Sequence, residues 1–153
     1  MRIESFHIER YRSIHTSETI DFGDLTVLVG PNNGGKSNVL IALVLAATLL
    51  EQAAGTFRSR QSQRVSTAAQ SRGAEFNWTR DFPLGLQGRR SARTTRFGLT
   101  FRLTPEECAA FVREVGNKTN GSLRVNITLN ESNEATFDVL KQGKGKASLN
   151  GKL

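Results

Sequence analysis

A glycine-rich segment of eight residues, residues 30–37, constrains the fold of this chain more than any other feature of its sequence. It reads GPNNGGKS and matches the pattern G-x-x-x-x-G-K-[ST]. The residues before it, 25–29, are mostly apolar and predict a buried strand, whereas residues 37–54 are rich in Leu, Ile and Ala and predict a helix. A strand, a glycine loop and a helix in this order indicate a site that cradles a phosphate group.

The chemistry of phosphate binding explains why the loop needs these residue types. Small residues let successive backbone N–H groups turn inward around an anion, and the positive end of the helix dipole adds to the attraction. Lys36 is then placed to reach the β- and γ-phosphate oxygens, and Ser37 to bind Mg²⁺. The alternative is a glycine turn capped by Ser37, with Lys36 as a surface charge.

Hydrophobic alternation predicts antiparallel strands before the loop. Residues 3–8 and 16–22 read as strands, and the turn signal Gly23-Asp24 separates the second of them from the buried strand at 25–29. The sequence therefore predicts a first unit at residues 1–55, composed of a β hairpin, the glycine loop and a helix that stops at Gly55.

A second group of elements is predicted at residues 95–141. Residues 95–103 alternate with their apolar side chains on one face, as a strand requires. Thr104, Pro105 and Glu107 form a capping pattern that predicts a helix ending by Gly116. Residues 122–129 and 135–140 alternate again and predict a hairpin. Residues 142–153 are predicted to be poorly ordered.

The net charge of +7 is concentrated in residues 56–102, where ten arginines and two acidic residues, Glu75 and Asp81, sum to +8. Within this range, residues 56–94 are rich in Arg, Ser, Gln, Gly and Thr, which predicts a mobile basic insertion with order returning near residues 76–86. Arginines track nucleic-acid phosphates, and Phe76 and Trp78 are able to stack on bases, so DNA is a candidate partner. The alternative is a solvated loop whose charge favours solubility.

Three further features indicate the compartment. Cys108 is the only cysteine, so no disulfide within the chain can form. The N-terminus lacks the continuous apolar region of a secretory signal. The longest apolar run, residues 39–50, is shorter than the roughly 20 residues that span a bilayer. The sequence therefore predicts a cytoplasmic protein without a membrane partner.

The segment GPNNGGKSN, together with Tyr11-Arg12-Ser13 and the hairpin before the loop, resembles the amino-terminal lobe of ABC-type ATPase heads of the SMC, RecF and OLD-nuclease kind. The resemblance implies an α/β P-loop NTPase lobe with antiparallel β hairpins beside the P-loop strand and helix, and the cofactors ATP and Mg²⁺. It implies that Lys36 acts in catalysis and that Ser37 binds the metal. The nucleotide-binding residues expected on this basis are Arg12, Asn32, Asn33, Gly34, Gly35, Lys36, Ser37 and Asn38.

Some of these assignments have a simpler alternative. Arg12 also fits a solvated charge at the end of a strand, and Asn32 and Asn33 also suit a turn without any ligand.

The chain departs from the family pattern in two places. It lacks four apolar residues followed by Asp-Glu, which supply the general base in the family, and it lacks an L-S-G-G-like signature. In the family both lie in a carboxy-terminal lobe, so the resemblance implies an ATPase that a second lobe or a partner completes. It also implies nucleotide-driven dimerisation of heads in a DNA-repair or anti-phage defence complex, with a nuclease or effector as a possible partner. The alternatives are a stand-alone nucleotide-binding or scaffolding module without hydrolysis, and a basic nucleic-acid-binding protein.

Overall fold

An antiparallel sheet is the framework on which the other elements pack. The computed structural model describes residues 1–16, 19–32, 34–59, 75–88, 93–116 and 119–140. In chain order the described elements are β1 (Arg2–Tyr11), β2 (Ile14–Thr16), β3 (Ile20–Asp21), α1 (Lys36–Ser59), α2 (Trp78–Asp81), α3 (Leu84–Gln87), β4 (Thr95–Arg102), α4 (Pro105–Val115), β5 (Ser122–Leu129) and β6 (Ala135–Leu140).

The strand order in the sheet is β2-β1-β4-β5-β6, and β3 also pairs with β1. Every pair is antiparallel, with Phe6 opposite Leu99 and Phe97 opposite Ile127. The fold is therefore α/β with an antiparallel sheet, and the strands predicted at 3–8, 95–103, 122–129 and 135–140 are confirmed within a few residues.

The core lies on one face of this sheet because alternate residues of each strand point to the same side. The buried strand residues are Phe6, Ile8, Tyr11, Phe97, Leu99, Phe101, Val125, Ile127 and Leu129. In β1 the alternation changes between Ile8 and Tyr11, where Arg10 has a positive φ of 54°. The Arg10 carbonyl accepts a hydrogen bond of 2.6 Å from Thr95 Oγ1, which stabilises this irregular backbone.

Helix α1 packs on the same core through Ala42, Leu45 and Ala46, which are fully buried. By length and composition alone, residues 36–55 of this helix are also apolar enough to cross a membrane. The search for a membrane span by an uninterrupted run of apolar residues therefore overlooked this helix as a candidate. One such helix is weak evidence for a membrane span, because core helices of soluble proteins share this composition, although only 17% of this stretch is buried here.

Residues 75–88 form a second anchored segment beside the sheet. Phe76 and Phe82 are buried, and the rings of Trp78 and Phe82 stack with centroids 5.0 Å apart. The predicted return of order near residues 76–86 is confirmed. The rest of the predicted mobile insertion falls largely on residues 60–74 and 89–92, which lie outside the described residues, as does the predicted tail at 142–153.

Helix α4 begins and ends as its sequence predicts. Thr104 Oγ1 accepts a hydrogen bond from the Glu107 backbone N–H, and a Glu107 carboxylate oxygen accepts one from the Thr104 N–H. Gly116 closes the helix with a φ of 71° in the left-handed region. The capping box and the glycine stop are therefore confirmed.

Three predictions about the first unit are wrong in detail. Residues 25–29 form no strand, and Leu25, Val27 and Val29 are 84%, 68% and 89% exposed. A strand requires a neighbour for its backbone hydrogen bonds, and no strand among the described residues pairs with this segment. Within the strand expected at 16–22, Thr16 is the last residue of β2 and only Ile20–Asp21 form a further described strand, β3, while residues 17 and 18 lie outside the described residues.

The third correction concerns the end of α1, which continues through Gly55 to Ser59. A glycine inside a helix costs only about 1 kcal/mol relative to alanine. The Leu- and Ala-rich turns before Gly55 offset that cost.

Candidate nucleotide-binding site

The glycine loop connects the exposed segment 25–29 to the start of α1, and its backbone has little room for side chains at two positions. Gly34 donates its N–H to the Pro31 carbonyl at 3.0 Å. A Cβ atom at Gly34 would lie 3.0 Å from that same oxygen, closer than such contacts normally allow. The loop therefore needs glycine here because a side chain would push it open.

Gly35 attaches the loop to the turn between β1 and β2. Its φ of +84° lies in the left-handed region, and a Cβ atom there would lie 3.4 Å from Ser13 Oγ and 3.7 Å from Ile14 Cγ1. Asn38 Nδ2 also donates to Ser13 Oγ, at 2.8 Å. The loop and the first turn of α1 are therefore in direct contact with the turn at Arg12 and Ser13.

The N-terminus of α1 points its unbonded N–H groups toward the loop. The Val39 N–H donates to the Gly35 carbonyl at 3.0 Å, so the first N–H groups of the helix precede its regular hydrogen bonding. No acidic residue lies in this first turn. These are the properties of a helix end that attracts anions.

Lys36 turns back over the loop. Its Nζ donates to the Gly30 carbonyl at 2.7 Å and to the Pro31 carbonyl at 2.6 Å. A bound phosphate offers the ammonium group oxygens of greater negative charge than these two carbonyls. The position of Lys36 is therefore compatible with the role predicted for it, and differs from that of an extended surface lysine.

The other predicted ligands differ in how they are placed. Ser37, beside Lys36, and Asn32, in the loop, are both exposed. The Asn38 amide is directed to Ser13, so it braces the loop rather than pointing out of it. Asn33 lies outside the described residues.

Arg12 directly precedes Ser13, whose hydroxyl accepts the Asn38 amide at the start of α1, but the Arg12 side chain is held from elsewhere. Its Nε donates to Asp81 Oδ1 at 2.9 Å, and its backbone N–H donates to the Asp81 carbonyl at 2.6 Å. The guanidinium group also lies 5.3 Å from the centre of the Tyr11 ring. It is therefore an anchored residue, and not the freely solvated charge that was the alternative.

Asp81 is the residue near the site that sequence reasoning missed. Its side chain is 0% exposed, yet it is charged: burial opposes ionisation, but hydrogen bonds from Arg80, the Asn77 backbone N–H and Arg12 hold the pKa of Asp81 below its ordinary value. The available signal was that Asp81 is one of two acidic residues in the basic segment and is surrounded by aromatic residues. Nothing in the sequence, however, connected it to Arg12.

The described arginines of residues 56–102 are each paired with a carboxylate, although their side chains stay 46–59% exposed. Besides Arg80, which binds Asp81, Arg93 pairs with Glu131, Arg96 with Glu9, and Arg102 with Glu4. The aromatic residues suggested for base stacking are also engaged: Phe76 is buried and Trp78 packs on Phe82. The remaining arginines of this segment fall on residues whose side chains are not described.

The donor set around the loop fits a phosphate group better than a metal ion alone. It consists of a glycine backbone that side chains would obstruct, a helix N-terminus and the Lys36 ammonium group. Within the described ranges, no group of three or more His, Cys, Asp or Glu residues is arranged to hold a metal. A divalent cation at this site would therefore depend on phosphate oxygens and on the Ser37 hydroxyl.

Comparisons with known proteins agree with this geometry. One similar solved structure is that of an SMC ATPase, from work on the ATP-driven dimerization and DNA-stimulated activation of these ATPases. It is 15% identical, has a TM-score of 0.54, and the match covers 97% of this chain and 73% of that chain. This likeness supports the fold. No curated protein sequence matches the chain.

The model of the AAA ATPase domain family matches residues 1–144, and so includes the glycine loop, α1 and the whole antiparallel sheet. The expected resemblance to an ATPase head lobe is thereby confirmed. The chain belongs to the AAA ATPase domain family.

Proposed function

We propose that this chain is the ATP-binding half of an ABC-type ATPase head, and that a second lobe or partner completes it for hydrolysis. The observation that carries the proposal is the Lys36 ammonium group, which lies across the glycine loop with its Nζ within 2.7 Å of two loop carbonyls. A lysine in this position is ready to exchange carbonyl oxygens for phosphate oxygens.

Each loop residue has a role in this proposal. Gly34 and Gly35 keep the backbone close to the β-phosphate, Lys36 neutralises charge on the transferring phosphoryl group, and Ser37 supplies a hydroxyl to Mg²⁺. Asn32 and Asn33 are the further loop residues proposed to contact the nucleotide, and Asn38 holds the start of α1 against Ser13. When bound, ATP with Mg²⁺ supplies the γ-phosphoryl group on which hydrolysis depends.

The exposed apolar residues favour an incomplete head over a stand-alone module. Leu25, Val27 and Val29 alternate along a segment that directly precedes the loop and has no strand beside it among the described residues. On α1, Leu40 and Val44 are each 56% exposed and lie one turn apart on one face of the helix. We infer that a carboxy-terminal lobe, whose apolar strand precedes the missing Asp-Glu pair, covers segment 25–29. The lobe that supplies the general base would thereby be placed beside the loop.

The assembly that such a head serves is also part of the proposal. The SMC ATPase that shares the fold is described through ATP-driven dimerization and activation by DNA. We infer that two copies of this head close around ATP and that closure operates a DNA-repair or anti-phage defence complex in the cytoplasm. DNA contact would draw on the Arg-rich segment 56–102, whose four described arginines stay 46–59% exposed beside their carboxylate partners.

Nucleotide binding is tested by calorimetric titration of the wild-type chain with ATP and Mg²⁺. Lys36→Ala is expected to weaken binding about 100-fold, because it removes charge-assisted hydrogen bonds to phosphate. Arg113→Ala is the matched control, since it removes an exposed positive charge from the last turn of α4. Equal affinity of Lys36→Ala and wild type would refute the proposal.

Completion by a second lobe is tested by phosphate release. The wild-type chain alone is expected to bind ATP without turnover, because its sequence lacks the Asp-Glu pair. Phosphate release by this chain alone, lost in Lys36→Ala, would show that the active site is already complete.

A further inference from the structure

The buried carboxylate of Asp81 collects four hydrogen bonds from two parts of the chain. Arg12 Nε donates to Oδ1 at 2.9 Å, and Arg80 donates to both oxygens at 3.0 and 2.7 Å. The Asn77 backbone N–H donates to Oδ2 at 2.9 Å. Burying a charge is costly unless it is fully paired, so this side chain is held tightly in one orientation.

The same residue also fixes the backbone of Arg12. The Arg12 N–H donates to the Asp81 carbonyl at 2.6 Å, which joins two segments 69 residues apart. Arg12 has a φ of 49°, a left-handed conformation that is unfavourable for a residue with a side chain. Such a conformation persists only where the surrounding structure enforces it, and the two contacts with Asp81 do so from both backbone and side chain.

Arg12 in turn is next to the residue that contacts the glycine loop. Ser13 Oγ accepts the Asn38 amide at 2.8 Å and packs against Gly35. The Arg12 side chain is 28% exposed, so it is held without being buried. An arginine bound through Nε keeps further N–H donors on its two terminal nitrogens, in the fork that suits phosphate oxygens.

We propose that Asp81 is a positioning residue for nucleotide binding: it holds Arg12 through Nε at the edge of the glycine loop, so that the guanidinium group is directed toward a triphosphate. The inference rests on the proposed function, in which the loop binds ATP. It adds a residue from the segment 75–88, outside the loop and its helix, to the nucleotide site. An exclusively structural role, attachment of that segment to β1, is the competing explanation.

A double-mutant cycle separates the two roles. Calorimetric titration with ATP and Mg²⁺ is carried out on wild type, Arg12→Ala, Asp81→Asn and the double variant, with thermal unfolding of each followed by circular dichroism. Each single variant is expected to weaken ATP binding by about fivefold to tenfold, and the double variant to lose no more than Arg12→Ala alone. A structural role would lower the unfolding temperature and leave the ATP affinity of the folded protein unchanged.

Arg102→Ala is the matched control. Arg102 also pairs with a carboxylate and its side chain is 58% exposed, but its partner is Glu4 rather than Asp81. It is expected to bind ATP within about twofold of wild type.

Arg12→Lys keeps the experiment decisive if Asp81→Asn does not fold. Lysine retains the positive charge but has neither the Nε–H nor the planar fork, so positioning by Asp81 predicts a loss close to that of Arg12→Ala. Wild-type affinity of Arg12→Lys would overturn the inference. So would wild-type affinity of folded Asp81→Asn, or fully additive losses in the double variant.

The outcomes also separate this inference from the proposed function. If Lys36→Ala loses ATP while folded Asp81→Asn binds it normally, only the role of Asp81 is wrong. If wild type binds no ATP, the proposed function fails and the inference falls with it.

Discussion

Two regions of the molecule, the sheet side formed by the paired strands and the loop side formed by segment 25–29 and the glycine loop, have similar apolar alternation but different environments. On the sheet side, Phe97, Leu99 and Ile127 alternate along paired strands and are almost completely buried. On the loop side, Leu25, Val27 and Val29 alternate in the same way and are mostly exposed. The comparison teaches that alternation predicts the capacity to form a strand, whereas burial requires a partner strand that the described part of this chain does not provide.

The two sides therefore have different roles. The sheet side provides stability, because its apolar surface is already removed from water. The loop side carries the glycine loop, Lys36 and the apolar segment 25–29 together, so the exposed surface lies where the nucleotide site would have to be completed. Changes on the two sides should therefore affect different measurements.

The largest effect is expected from Phe97→Ala on the sheet side. Phe97 is buried, and its ring centre lies 6.0 Å from that of Phe6 and 5.5 Å from that of Tyr11. Its truncation should lower the free energy of unfolding by about 3–5 kcal/mol, measured by denaturant titration. A loss below about 1 kcal/mol would mean that the sheet side is not the main source of stability.

The next largest effect is expected from Gly35→Ala at the junction of the two sides. Because a φ of +84° lies in the left-handed region, alanine at this position should cost about 1–2 kcal/mol, and the altered loop should bind ATP more weakly. Gly55→Ala is the matched control, because Gly55 lies in the interior of α1 with open space around it. That variant should be stabilised by about 0.5–1 kcal/mol, and equal destabilisation of both would contradict the role of backbone conformation.

A smaller effect is expected from Thr104→Ala, which opens the capping box of α4. The variant leaves the Glu107 N–H without its side-chain acceptor, and should lower the free energy of unfolding by about 1 kcal/mol. Thr104→Ser keeps the hydroxyl group and should stay close to wild type. ATP affinity should be unchanged in both, since α4 is not part of the loop side.

The smallest effect on stability is expected from Val29→Ser on the loop side. Val29 is already exposed, so the substitution should change the free energy of unfolding by less than about 0.5 kcal/mol. Val125→Ser, the matched change on buried β5, should cost about 2 kcal/mol or more because it places a hydroxyl group in the core. Similar losses in the two variants would show that segment 25–29 is buried in solution.

Local signals in the sequence predicted several features correctly. The capping residues of α4 and its final glycine act within one turn of helix, so their effect is readable without the fold. The alternation of β4, β5 and β6 is equally local, and the short turn between β5 and β6 predicts that these two pair as a hairpin, whereas the pairing of β4 with β5 came only from the structure. The glycine loop also has the backbone constraints expected from its sequence, at Gly34 and Gly35.

The errors came from features that depend on distant residues. Gly55 was predicted to end α1, but the high helix propensity of the Leu- and Ala-rich turns before it lets the helix continue through this glycine. The segment 25–29 was expected to be a strand, but no described strand lies beside it. The contact between Arg12 and Asp81 joins residues 69 positions apart, and no spacing rule connects them.

The sequence by itself determined the glycine loop, the helix that follows it and the alternating strands, because these depend on backbone freedom and on side-chain periodicity over a few residues. Only the tertiary structure decided that Lys36 turns back over the loop, that Ser13 braces Gly35, and that Asp81 holds Arg12 at the loop's edge. It also decided which apolar residues are buried, because burial and charge pairing depend on what lies across space rather than along the chain.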